Sequence, residues 1–258
     1  MRWTLLVALF LVASSALAAP SPSVQLEDLT WTELRDAVKA GATTVIIPTG
    51  GTEQNGPHMA LGKHNVRVRV LSTRIAQALG DTLVAPVVAY TPEESGHQRF
   101  AGTISVPAAT FRSLIEAAAR SLRQAGFTSI VLLGDHGGYQ PLLKEAATSL
   151  NKEWAGSGVW AYFIEDYYRA SQTAYVQALR AKGLSDAQIG THAGTADTSL
   201  AMAIDPSLVR SDRLAGRSPN DGTLGDPAAS SAALGQLGVD LIVSQTVAAI
   251  RKARAEKR

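Results

Sequence analysis

The chain has 258 residues, 46% of them hydrophobic and 18% charged, with a formal net charge of +2. This length suits one domain around one core, and the composition excludes a disordered chain. The short basic cluster Arg251 to Arg258 reads as a solvated helix end, so no nucleic-acid partner is expected.

The first residues read as a secretory signal. Arg2 supplies a positive start, Leu5 to Val12 a short apolar run, and Ala16-Leu17-Ala18 an A-x-A cleavage signature. Residues 1–18 are therefore expected to be removed, leaving a single domain over 19–258 in the periplasm or outside the cell. The apolar run is too short for a stable span, and no Cys follows to carry a lipid, so no membrane anchor is expected. The cysteine count of zero also removes thiolate from every metal or nucleophile hypothesis.

Past a loose Pro/Ser stretch, helical spacing marks Leu29 to Ala40, and the β-branched run Thr43 to Pro48 reads as a buried strand. Val66 to Leu79 reads as a helix and Thr82 to Val88 as a strand. Ala108 to Ala125 is helical up to Gly126, and Ser129 to Leu133 is a strand ending at Gly134. A helix over Leu142 to Trp154, a strand over Val159 to Ile164 and a helix over Thr173 to Ala181 follow. Arg217 to Asp226, rich in Gly, Pro, Asn and Asp, reads as a loop. Alternating strands and helices imply an α/β domain with a largely parallel sheet. Ligands of such sheets bind beyond the carboxyl ends of the strands.

The five histidines fall in loops at such places. Gly50 to His64 holds Glu53, His58 and His64 among Gly and Pro; Gly134-Asp135-His136-Gly137-Gly138 follows a strand; Thr191 to Ser199 holds His192 and Asp197. His97 sits in a fourth loop. Taken alone, each could be a turn or capping residue, as Asp197 could be for a following helix. Together, three separated loops offering imidazole and carboxylate point to a metal such as zinc or manganese.

These stretches resemble the creatininase (creatinine amidohydrolase) family. Gly51 to His64 resembles its G-[ST]-x-E-Q-H-G-P-H-L-P-L-G-T-D, Gly134 to Tyr139 its N-G-H-G-G-N, and His192 to Ser199 its H-A-G-x-x-E-T-S. Phe100 to Ser105 resembles F-P-G-T-I-S, and Asn220 to Ala229 a C-terminal G-x-x-G-D-P-x-x-A. The resemblance runs from about Leu29 to Val243. It implies a three-layer α/β/α fold, often hexameric, that hydrolyses cyclic or linear amide C–N bonds with divalent metal, commonly two ions. By position, Glu53, His136 and Asp197 match metal ligands, and His192 a proton-transfer residue.

Two departures alter that site. Asn55 stands where the family has a ligand His, and His64 where it has the ligand Asp that bridges two metals. Asp197 is one methylene shorter than the usual Glu. We therefore expect one ion, zinc first, with manganese or iron as alternatives, held by Glu53, His64, His136 and Asp197. Glu53, Asp197 or His192 would take a proton from water, and His192 would return it to the leaving nitrogen. His58, His97, Gly137 and Gly138 are expected at the substrate, the glycines through backbone N–H groups near an oxyanion. Asn55 and Asp135 are expected behind the ligands, Asp135 orienting His136 or another His. The expected partner is a small-molecule amide; His136-Gly137-Gly138, in place of creatininase's His-Tyr-Glu, disfavours creatinine itself. The alternative is an inactive creatininase fold that binds a small exported ligand.

Overall fold

The computed structural model describes residues 23–215 and 220–257. The expected leader over 1–18 lies outside the described residues, as do positions 217–219 of the expected Gly/Pro loop.

The elements in chain order are α1 (Trp31–Lys39), β1 (Thr44–Thr49), α2 (Lys63–Leu79), β2 (Thr82–Val84), α3 (Ser95–Gln98), α4 (Ala108–Gln124) and β3 (Ser129–Gly134). Then come α5 (Gln140–Glu153), β4 (Trp160–Phe163), α6 (Asp166–Gln172), α7 (Ala174–Ala181), α8 (Asp186–Ile189), α9 (Thr195–Ile204) and α10 (Ala232–Ala255). The described strands form one parallel sheet in the order β2-β1-β3-β4. Side chains alternate across a strand, and this sheet buries both faces. Ile46, Val131 and Leu133 face one core with residues of α2, α6, α7, α9 and α10. Val45, Ile47, Ile130 and Leu132 face the other with residues of α4 and α5. The result is the parallel α/β domain expected from the alternating pattern, in the three-layer α/β/α form that the family resemblance implies.

The second strand is shorter than the sequence expectation, and the long C-terminal helix lies mostly beyond the elements that expectation covers. The second strand stops at Val84 rather than Val88, because beyond it the chain keeps only an isolated bridge, Thr49 to Val88. The apolar C-terminal segment forms the long helix α10, which packs on α9, α6 and α2. Gly235 and Gly238 let it approach: a Cβ at Gly235 would lie 1.8 Å from the Ser199 carbonyl oxygen, and one at Gly238 2.7 Å from Leu200 Cδ2. Only a residue without Cβ permits that approach.

Candidate metal centre and active site

The site forms where β1 and β3 end. Past β1 the chain turns through Gly50 and Gly51, then carries Glu53 into the interior with no exposed surface. Past β3, Asp135 and His136 sit on a tight turn. Its backbone is clamped by the buried Tyr139 hydroxyl, which accepts the N–H groups of Asp135 and His136 at 3.0 Å each and donates to the Gly50 carbonyl at 2.5 Å. One phenol thus ties the two loops together.

Glu53 is the hub. Its Oε1 accepts from His64 Nε2 at 2.9 Å, its Oε2 lies 2.5 Å from His97 Nδ1, and His136 Nε2 stands 3.7 Å from Oε1. Glu93 approaches from the loop beyond β2. Its Oε1 accepts from Thr91 Oγ1 at 2.6 Å, while Oε2 is buried without a hydrogen-bond partner, 3.8 Å from His136 Nδ1. One ligand atom from each of Glu53, Glu93, His97 and His136 lies within 4.8 Å of the others. Two carboxylates and two imidazoles suit a divalent transition metal. A buried carboxylate oxygen with no hydrogen-bond partner fits a cradle for a cation.

The electrostatics agree. Burial, reinforced by nearby Glu53, pushes Glu93 up to about 7. Burial opposes ionisation of Glu53 too, but His64, His136 and Lys63 override it and hold Glu53 far below the usual carboxylate range. Burial lowers His136 to about 4, and burial with Lys63 lowers His192 to about 4. Both imidazoles therefore keep a lone pair at neutral pH, the form that binds metal or accepts a proton.

Beside this group lies a second, closed one. Lys63 Nζ donates to Asp197 Oδ2 at 2.5 Å, and Arg67 Nη1 to Asp197 Oδ1 at 2.9 Å. Arg67 Nε also donates to Asp135 Oδ2 at 2.8 Å, and Tyr167 donates to Asp135 Oδ1 at 2.7 Å. Lys63 and Arg67 begin α2 one helical turn apart, so both point to one side. Despite burial, these two cations hold Asp197 well below its ordinary value.

This arrangement corrects several expectations. Asp197, expected as a ligand, has both oxygens engaged by Lys63 and Arg67. His64, also expected as a ligand, has its ring nitrogens on two carboxylates, Asp135 at 2.7 Å and Glu53 at 2.9 Å. Burial and Lys63 oppose its charge, but those two hydrogen bonds outweigh them and raise its pKa, so both nitrogens serve as donors. His58, expected at the substrate, is instead buried against Thr198 Oγ1 at 2.9 Å and is absent from the cavity wall. His97 lines the cavity and also joins the ligand group. The Gly138 N–H points to His136 Nδ1 at 3.3 Å instead of an oxyanion, while Gly137 does line the cavity.

The remaining expected residues fall as follows. Asp135 supports His64 rather than His136. Asn55 sits behind the hub, its amide donating to the carbonyls of Glu53 and Ala60 at 2.9 and 3.3 Å. His192 faces the cavity with Nδ1 4.0 Å from Glu53 Oε1 and its ring centroid 4.4 Å from that of His97. Its Nε2 lies 3.0 Å from the Gln54 carbonyl oxygen.

Glu93, Lys63, Arg67 and Tyr139 were not singled out by sequence. Glu93 had a usable signal: Thr91-Pro92-Glu93-Glu94 lies past a strand's carboxyl end, where ligands gather. The two cations resembled solvated charges at a helix start and carried no such signal.

Residues 27–250 match the family described as creatininase, creatinine amidohydrolase. The chain belongs to the creatininase family. It is 27% identical to the creatinine amidohydrolase of Pseudomonas putida, over 90% of this chain and 98% of that one. It is 31% identical to a mycofactocin precursor peptide peptidase of Mycobacterium ulcerans, over 66% of this chain and 62% of that one. Among solved creatininase-family structures, a creatininase described as the manganese form superposes with TM-score 0.76 at 27% identity, covering 90% of this chain and 99% of that one. A zinc–zinc form of a creatininase variant gives TM-score 0.75 at 27% identity, with the same coverage.

Proposed function

We propose that this creatininase-family protein is a metal-dependent hydrolase of a small, non-peptide amide, cleaving a cyclic or linear C–N bond. The observation that carries this reading is the convergence of Glu53, Glu93, His97 and His136, with a buried Glu93 oxygen left without a hydrogen-bond partner, beside a cavity of about 260 Å³ that His97 and His136 line. That volume lies below the usual range of ligand pockets and favours a small substrate. One divalent ion, zinc first and manganese or iron next, would be held by those four side chains. Such an ion supplies Lewis acidity toward a carbonyl oxygen and acidifies water.

The rest is done by the chain. His192, kept neutral by burial, lies with Nδ1 toward Glu53 and Nε2 against the Gln54 carbonyl. Its Nε2 meets both the Gln54 carbonyl oxygen and the Gln54 side-chain amide nitrogen at 3.0 Å; in the tautomer whose Nε2–H donates to the carbonyl, Nδ1 presents a lone pair to the cavity. It can take a proton and return it to the leaving nitrogen, which an amide requires because an amide anion is a poor leaving group. Arg67, Asp135 and Asp197 form a rigid charged wall, while Val176, Ile189, Leu200 and Leu224 supply apolar surface that excludes water.

We also propose that the chain is exported, on the leader-like residues 1–18, and that it assembles as a homo-oligomer, a hexamer by family resemblance. The mass of the mature chain and light scattering test these. The function is tested by elemental analysis and hydrolysis of an amide and lactam panel. The expected result is about one ion per chain and turnover, both lost in Glu93→Gln and His136→Ala. No metal after reconstitution with zinc and manganese would overturn the reading.

A further inference from the structure

Lys63 is among the largest side chains buried to under 2% exposure, and nothing in the proposed reaction uses it. Taking an ammonium out of water costs several kcal/mol unless it is well paired. Here the pairing is close: Asp197 Oδ2 accepts from Nζ at 2.5 Å. Asp197 also accepts from Arg67 and from the Ala193 N–H at 3.1 Å, and Arg67 extends to Asp135.

The charges divide sharply. Lys63 and Arg67 against Asp135 and Asp197 sum to zero inside one hydrogen-bonded cage. Next to it, Glu53 and Glu93 have imidazoles but no guanidinium or ammonium in hydrogen-bond contact, and Glu93 Oε2 has no partner. With His97 and His136 beside them, those two carboxylates offer an ion the open donor atoms that the closed cage does not. A further ion near Asp197 would have to displace or face the buried Lys63 ammonium. The repulsion there is little screened, because buried charges are screened less than exposed ones.

We propose that Lys63 is a built-in cation standing in for a second metal ion, so that this chain holds one exchangeable ion at Glu53, Glu93, His97 and His136. The inference rests on the metal-site reading above and explains why the site is mononuclear. It assigns Lys63 a role in metal count, not in contact with substrate. The replacement also accounts for two features together. Asp197 sits near the centre yet is spoken for, and His64 lies between Asp135 and Glu53 with each ring nitrogen already against a carboxylate.

The test is manganese binding to the chelated, full-length mature protein, by titration calorimetry with electron paramagnetic resonance as a readout of ion pairing. The wild type should bind one ion and show the hyperfine pattern of an isolated Mn(II). Lys63→Met should admit a second, spin-coupled ion, and Lys63→Arg should stay at one. Should Lys63→Met fail to fold, Lys63→Thr combined with His64→Asp exchanges an ammonium for a carboxylate and should bind two ions. His64→Asp alone, with Lys63 retained, should stay at one. Two coupled ions in the wild type would overturn the inference while leaving the metal-site reading intact. So would a single ion in both a folded Lys63→Met and the Lys63→Thr/His64→Asp protein. No ion in any protein would remove the metal-site reading itself, and the inference with it.

Discussion

Two neighbouring groups in this molecule are built from similar parts and behave oppositely. The Glu53–Glu93–His97–His136 group brings carboxylates and imidazoles together and leaves a buried oxygen unpaired. The Lys63–Arg67–Asp135–Asp197 group brings carboxylates together and closes every one on a cation, a tyrosine or a backbone N–H. A carboxylate near a metal centre is therefore a ligand only if no fixed cation has already claimed it. The first group is suited to exchange its cation; the second carries its own.

The contrast can be broken from either side. The largest stability effect is expected in the closed cage. Arg67→Met leaves Asp135 and part of Asp197 buried without their cation and should cost about 3–5 kcal/mol, read by chemical denaturation. The cage carboxylates are held below their ordinary values in the folded state. Their contribution is thus present above the unfolded carboxylate pKa of about 3.9 and is lost as pH falls through the lower folded values. The gap between wild type and Arg67→Met should accordingly be full at pH 7 and shrink only in strong acid.

In the open group the expected loss is of metal rather than of fold. Glu53→Gln should weaken metal binding by more than the roughly 10–100-fold typical of groups behind the ligands, because Glu53 is proposed as a ligand. Calorimetry with the chelated protein reads this, and an unchanged affinity would refute Glu53 as the hub. Tyr139→Phe sharpens the comparison by touching the turn rather than either group. It leaves the N–H groups of Asp135 and His136 without their acceptor, at about 1–3 kcal/mol, and should lower thermal stability with a smaller fall in metal affinity.

The smallest effect is a control. Arg254 pairs with Asp81 at 2.5 Å, but Asp81 keeps 37% of its side-chain surface exposed. Arg254→Ala should cost no more than about 1 kcal/mol. A loss as large as that of Arg67→Met would mean that burial is not what separates the cage from an ordinary surface pair.

Most of the architecture was legible in the sequence. The buried runs over Thr44–Thr49 and Ser129–Gly134 and the helix over Ala108–Gln124 differ from their expected bounds by a residue at each end or less. Periodicity reports burial directly, and Gly126 and Gly134 punctuate it. The second strand was overextended because Ala85 to Val88 is apolar through packing rather than continuous pairing. The site was legible as a place and as a set of residue types. His97, His136 and His192 line one cavity, and Glu53 lies buried behind them within 4.0 Å of each ring.

What the sequence by itself determined is the family, the parallel α/β sheet, and the loops at the strand ends that carry imidazole and carboxylate. Those follow from local pattern, and local pattern is written along the chain. What only the tertiary structure decided is which carboxylates remain free. Glu93 arrives from a different strand end, and Lys63 and Arg67 reach Asp197 across 134 and 130 residues of chain. Charge compensation acts through space over a few ångströms, and spacing along the chain does not encode it.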